Sequence, residues 1–159
     1  MSWRRSTRTP EPYEPDVPTL IAFVSDLHVG SSVALAPNRV RLDDGGDYVA
    51  SKPQRWIHDR WVEYWGEVAR LKDELSCEVV TIICGELADD NYHPTTQRIS
   101  ENKGDIIGAS LAVLKPLRAV SDRIYATRGS SAHVGPSGGL DEAIAEEIGA
   151  VPEIGRAHV

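Results

Sequence analysis

The sequence predicts an α/β fold, with a mainly parallel sheet flanked by helices. Three short runs of apolar, often β-branched residues alternate with segments whose apolar residues recur at helical three-and-four spacing. This β-α-β-α-β-α order implies right-handed crossovers and parallel strands. Each run ends in a cluster of polar residues, as expected where ligands bind at the carboxyl edge of an open sheet. With 159 residues, the chain is long enough for one domain with its own core.

The first predicted strand is the apolar run that begins at Leu20 and stops before Asp26. Because the run is continuous rather than alternating, it predicts a buried strand. A long polar connection over residues 31–53 follows, and a loop of that length is usually functional or mobile. Its Asp43–Asp47 segment lacks the spacing and the terminal glutamate of a calcium-binding loop, so we interpret it as a turn.

The remaining elements alternate helix and strand. The amphipathic stripe of Gln54–Leu75 predicts a helix, and its tryptophans are better explained by packing than by a platform for stacked bases. The other predicted elements are a strand over Glu78–Cys84, a helix over Asp105–Val120 that is interrupted or ended near Pro116, a strand over Arg123–Thr127 and a short helix over Leu140–Gly149.

The chain is expected to divide into a flexible leader and one domain. Prolines make residues 1–18 an extended arm, and residues 19–159 form the α/β domain. The arm has basic residues but no apolar segment of a secretory signal, and no stretch approaches the roughly 20 apolar residues of a membrane span. Cys77 and Cys84 are predicted as reduced core thiols. These features predict a cytoplasmic protein without membrane partners.

The chain is acidic, with a formal net charge of -7 and a pI near 5.2. This balance argues against a broad electrostatic grip on nucleic acid. It does not exclude an enzyme that acts on phosphates, because bound cations change the local field. A small basic patch could still contact the end of a nucleic acid. The patch consists of Arg39, Arg41, Lys52 and Arg55.

The polar clusters at the three strand ends form the candidate site. They are Asp26 and His28, then Glu86, Asp89, Asp90 and His93, then Ser130, Ser131 and His133. A parallel sheet would bring them to one edge, where mixed oxygen and nitrogen donors suit manganese, iron or zinc. Other interpretations stay open: acids that cap a helix, a hydrogen-bonding histidine at the edge of the core, and a backbone nest for an anion at the serines.

Three of these segments resemble the first three motifs of the calcineurin-like metallophosphoesterases. Asp26-Leu-His28 matches the Asp-x-His motif, and Gly85-Glu-Leu-Ala-Asp89 is similar to Gly-Asp-x-x-Asp. Arg128-Gly-Ser-Ser-Ala-His133 follows the third strand, where phage-type members often have a Gly-Thr-Glu-Ala-His-like motif. The resemblance covers about two thirds of the chain. It implies a fold like the first half of that family's four-layer sandwich.

The resemblance also implies a role for each matching residue. Asp26 and His28 would hold the first of two divalent ions (manganese, iron, zinc or nickel), and Asp26 would reach both ions. Glu86 stands where the family has a bridging aspartate. Asp89 matches the second acidic position of that motif and belongs to the predicted metal site, as support for the ligands rather than a sure ligand. Asp26 and His133 would be the catalytic residues. His133 would protonate the leaving group or stabilise the transition state.

The sequence departs from the family at three points. Glu86 is longer than the usual aspartate, the third motif is altered, and only His158 stands near Val159, where the family continues to a Gly-His-x-His motif. These departures leave three options open: a truncated half of the fold, a fold completed by a partner, or loss of the second metal site.

The function implied by the resemblance is metal-dependent hydrolysis of a phosphomonoester or phosphodiester, nucleic acid or nucleotide included, by metal-activated water. The alternative is a catalytically weakened or inactive relative that binds or assembles with another protein. In that case a homo-oligomer or a partner would cover the sheet surface left exposed. The expected location is the cytoplasm of a bacterial or phage-infected cell.

Overall fold

The computed structural model describes residues 17–89, 96–129 and 139–151, and the predicted α/β class is confirmed there. The strands are β1 (Thr19–Val24), β2 (Arg39–Arg41), β3 (Asp47–Val49), β4 (Glu78–Cys84) and β5 (Arg123–Thr127). The helices are α1 (Lys52–Leu75), α2 (Lys103–Val120) and α3 (Gly139–Glu147). Residues 1–16 of the predicted leader lie outside the described ranges.

A parallel sheet in the order β1-β4-β5 organises the molecule. In register across it, Phe23 of β1 and Tyr125 of β5 lie on either side of Ile82 of β4. The chain passes through α1 between β1 and β4, and through α2 between β4 and β5. Since all three strands run in one direction, their carboxyl ends lie at the same edge.

One face of the sheet is buried and the other is open to solvent. Ala22, Ile83 and Ala126 point to the buried face and have at most 4% of their surface exposed. Ile21 and Phe23 point to the opposite face and are 51% and 61% exposed. The prediction of a buried first strand is therefore wrong. β1 is an edge strand, and only alternate residues of its apolar run enter the core.

The predicted connection over residues 31–53 contains a β-hairpin that the sequence analysis missed. β2 and β3 pair antiparallel, and the N–H of Gly45 donates to the Leu42 carbonyl with a φ of +87°. The interpretation of Asp43–Asp47 as a turn is thus confirmed. Strands of three residues are too short to show the alternating pattern that predicts a strand.

The start of α1 is fixed by a buried glutamine. The Ser51 hydroxyl accepts the backbone N–H of Gln54, and the Gln54 side chain accepts the N–H of Ser51, which together form a capping box. Gln54 is fully buried; it also accepts the Tyr48 hydroxyl and donates to the carbonyls of Ser31 and Ala34. This one side chain joins α1 to the hairpin and to the loop that follows β1.

α2 runs without a break through Pro116, so the predicted interruption there is wrong. Proline removes one backbone hydrogen bond from a helix interior. Burial outweighs that loss, because Val113 and Leu117 are fully buried on either side of the proline. The indole Nε1 of Trp61 also donates to the Val113 carbonyl at 2.8 Å. This contact supports the packing role predicted for the tryptophans of α1.

Both cysteines are free thiols, as predicted, but only one of them is in the core. Cys77 is buried just before β4, whereas Cys84 is exposed at the end of that strand. The environment predicted for Cys84 is therefore wrong. In the described part of the chain, no helix combines the length and the apolar character needed to cross a bilayer.

Candidate metal centre

The segments that follow β1 and β4 continue to pair beyond the ends of the strands. The N–H of His28 donates to the Glu86 carbonyl at 3.0 Å, and the N–H of Val29 donates to the Leu87 carbonyl at 3.0 Å. The N–H of Asp89 donates in the opposite direction, to the Val29 carbonyl at 2.9 Å. These bonds hold the two segments that carry candidate ligands in a fixed register.

Three predicted ligands converge at this junction. His28 Nε2 lies 3.0 Å from Glu86 Oε2 and 4.0 Å from Asp26 Oδ1. One ligand atom from each residue falls in a group whose members are all within 4.8 Å of one another. The Asp26 side chain is 65% exposed and that of Glu86 only 14%, so the group is open to solvent on the Asp26 side.

The backbone at these residues is left-handed. The φ angles are 55° at Asp26, 44° at His28 and 52° at Glu86. Among the described non-glycine residues, the other positive φ belongs to Ser76, which ends α1. A left-handed conformation costs about 1–2 kcal/mol for a residue with a Cβ, and such strain concentrates at functional sites. The side chains of Asp26 and His28 therefore converge because the backbone turns at both residues, and not because the strand continues through them.

A close approach at Gly85 brings the end of β5 next to this junction. Gly85 has a φ of +74°, and a Cβ built on it would lie 2.8 Å from the Cα of Gly129. Glycine is therefore required at position 85 by conformation and by space. The backbone that leads to the predicted third cluster thus touches the backbone that presents Glu86.

The three side chains could together hold a divalent cation. Ligands at 2.0–2.2 Å from one ion lie about 3–3.5 Å from each other, a separation that His28 and Glu86 already have. Asp26 Oδ1 lies further from His28 Nε2, at 4.0 Å. Two carboxylates with one imidazole suit manganese, iron or zinc. Across residues 17–89, 96–129 and 139–151, no second cluster of this kind is found.

Of the other predicted site residues, the structure describes Asp89. Asp89 is not one of its three members, and its backbone N–H supports the junction as described above. His133 lies outside the described residues, as do His93, Ser130 and Ser131.

A cavity of about 470 Å³ adjoins the cluster on the Asp26 side. Its walls are mainly apolar and aromatic, with contributions from Phe23, Leu35, Trp61 and Tyr64. Arg60 is the basic residue at its lining. Cavities of this size with few polar groups are typical of small-molecule sites.

One carboxylate offsets part of the charge of the proposed basic patch. Arg39 and Arg41 both donate to Asp47 Oδ2, at 2.9 and 3.3 Å. The Arg39 hydrogen bond holds the pKa of Asp47 below its usual range. Arg55 donates to the Ala50 carbonyl at 2.5 Å. Asp47 thus offsets only part of the charge of Arg39 and Arg41, and a hydrogen bond to a carbonyl leaves the charge of Arg55 in place.

Asp141, the most buried described carboxylate at this edge of the sheet, was not predicted as a site residue. It lies in the first turn of α3 and is 2% exposed. Burial raises the pKa of Asp141, and hydrogen bonds from backbone N–H groups oppose that rise. The local signal was only an acid in a first helical turn, which the helix dipole already explains.

Comparison with known proteins gives no match: no family model, curated protein or solved structure matches the chain. The resemblance of three motifs to the metallophosphoesterases stays a prediction. The function proposed below rests on the positions of Asp26, His28 and Glu86.

Proposed function

We propose that the chain is a metal-dependent phosphoesterase that hydrolyses a phosphomonoester or phosphodiester. The supporting observation is the convergence of Asp26, His28 and Glu86 at the carboxyl edge of the parallel sheet. A divalent ion held there would polarise a phosphoryl oxygen and lower the pKa of a water molecule. Manganese, iron, zinc and nickel are the candidate ions, and a second ion would need donors beyond these three residues.

The proposed role of each residue follows from its burial and its position in the cluster. His28 and Glu86 are the more buried pair and would fix the ion, because paired loops hold both backbones. Asp26 is the exposed member and would reach toward the substrate side. Asp89 would support the junction. By its motif, His133 would supply the proton that the leaving group takes up.

The surroundings favour a small organic phosphoester over a long nucleic acid. Two carboxylates repel a phosphate unless a cation lies between them, so the cation is a condition of binding. The apolar cavity beside Asp26 would take the organic part of the ester. The net charge of -7 argues against a broad contact with nucleic acid, so a nucleotide or a nucleic-acid end is the candidate of that class.

A second candidate function is that of a non-catalytic binding protein of the same fold. The open sheet face favours it, because Ile21, Phe23 and Tyr125 are all exposed there. Such a protein would bind a partner or a second copy of itself through apolar contacts.

Hydrolysis of bis(4-nitrophenyl) phosphate with Mn²⁺ tests the first proposal. We expect Asp26→Asn and His28→Ala to lower kcat/KM at least 100-fold, because the first removes the charge of a ligand and the second removes a ligand altogether. Asp59→Asn is the matched control, since it removes an exposed carboxylate of α1 and should leave activity unchanged.

Two results would overturn the phosphoesterase proposal. One is wild-type protein that takes up no Mn²⁺ in calorimetry and hydrolyses nothing, which would favour the binding protein. The other is hydrolysis that both ligand variants retain, which would place the activity elsewhere or in a contaminant.

A further inference from the structure

Asp141 links two strand ends through its carboxylate. Oδ1 accepts the backbone N–H of Ala88 at 3.3 Å, and Oδ2 accepts the N–H of Gly129 at 3.2 Å. Ala88 follows β4 and Gly129 follows β5, so one side chain of α3 joins both segments. A carboxylate buried this deeply needs such donors, because burial without hydrogen bonds is strongly unfavourable.

The segment that Asp141 holds is the one that presents Glu86. On one side, the carbonyls of Glu86 and Leu87 accept N–H groups from the loop after β1. On the other side, Asp141 accepts the N–H of Ala88. The left-handed turn at Gly85 and Glu86 is thus secured from both directions.

The Asp141 hydrogen bonds can affect the cation site without any contact between Asp141 and a substrate. A left-handed glutamate backbone persists only where its surroundings enforce it. The Asp141 hydrogen bonds supply that enforcement on the α3 side, while the Gly85–Gly129 approach leaves the loop little room to move. A relaxed loop would carry the Glu86 carboxylate away from His28.

We propose that Asp141 is a positioning residue of the cation site, which holds the Glu86 carboxylate in ligand geometry through the Ala88 and Gly129 amides. The metal affinity of the site is part of the proposed function, and this inference rests on it. Outer partners that orient ligands in this way typically change metal affinity 10–100-fold.

Titration of Mn²⁺ into wild type, Asp141→Asn and Asp141→Ala tests the inference. An amide keeps one acceptor oxygen but cannot accept on its nitrogen. We therefore expect the dissociation constant to rise about 10-fold in the asparagine variant and further in the alanine variant. Ile144→Val, a buried change in the same helix, is the control that lowers stability without touching these amides.

The outcomes separate this inference from the proposed function. Wild type that binds no Mn²⁺ contradicts both. Wild type that binds Mn²⁺ with the same affinity as Asp141→Asn overturns the positioning role alone. A loss of affinity in Ile144→Val equal to that in Asp141→Asn also overturns it, because destabilisation would then explain the effect.

A measurement on the wild-type protein covers the case in which the Asp141 variants do not fold. Binding and loop order are reciprocally linked, so Zn²⁺ should slow hydrogen exchange at the Ala88 and Gly129 amides. Exchange at those two amides that Zn²⁺ leaves unchanged, with Zn²⁺ bound, contradicts the positioning role.

Discussion

At the residue scale, the candidate ligands are set apart by backbone conformation as much as by chemistry. The sequence located Asp26, His28 and Glu86 because the change from apolar strand to polar loop is a local signal. It did not predict their left-handed φ angles, since residues other than glycine adopt that region uncommonly, even aspartate and histidine, which are enriched there. Those angles come from pairing between two distant loops, which no local pattern encodes.

A pair of substitutions at position 28 tests the strain. We expect His28→Gly to be about 1 kcal/mol more stable than His28→Ala, because only glycine adopts a φ of 44° without a steric penalty. Both variants lose the imidazole, so its contacts cancel in the comparison. Urea unfolding measures the difference. An alanine variant as stable as the glycine variant contradicts a strained backbone at the site.

At the element scale, the central strand β4 and the edge strand β5 could be predicted, whereas their surroundings could not. The bounds of β4 and β5 match the prediction because apolar, β-branched runs with polar ends are a strong local pattern. The β2–β3 hairpin was not predicted because its strands are short. The burial of Gln54 and Asp141 was not predicted either. Most polar residues are exposed, and no local pattern marks the few that become buried.

The turn before β5 provides a pH-dependent test of how the elements are joined. Asp122 accepts the Lys72 ammonium at 2.8 Å and the Val79 N–H at 2.7 Å, and these contacts, Lys72 first, lower the pKa of Asp122. A lowered pKa in the folded protein means that the stabilisation is present above the unfolded pKa and is lost as pH falls through the folded pKa.

We therefore expect Asp122→Asn to destabilise the protein by about 1 kcal/mol at pH 7, a value reduced for solvent screening because the side chain is partly exposed. The difference from wild type should shrink as the solution is acidified below pH 4, where the wild-type carboxyl itself becomes protonated. Denaturant unfolding at several pH values measures it. A difference that does not change between pH 7 and pH 3 would show that charge at Asp122 is irrelevant.

At the scale of the whole molecule, the sheet has one covered and one open face. The continuous apolar run of β1 suggested burial on both faces, because a sequence records hydrophobicity but not how many layers surround a strand. The fold class was predicted correctly, since the order of strands and helices is itself in the sequence. The one-sided coverage emerged only from tertiary structure.

Alanine substitutions on the two faces test this asymmetry. Ile83→Ala removes a fully buried side chain, so we expect it to lower the free energy of unfolding by about 2–4 kcal/mol. Phe23→Ala removes a side chain that is 61% exposed and should lower it by less than about 1 kcal/mol. Equal losses, measured by urea unfolding of dilute protein, would mean that another segment or chain covers the open face.

The most direct test of the central claim is a pulsed electron paramagnetic resonance measurement on the Mn²⁺-loaded protein. If His28 is a ligand beside Asp26 and Glu86, the echo carries a modulation from a coordinated imidazole nitrogen, and His28→Ala removes that modulation. Bound Mn²⁺ whose nitrogen modulation is absent, or persists unchanged in His28→Ala, contradicts a metal centre at this edge of the sheet.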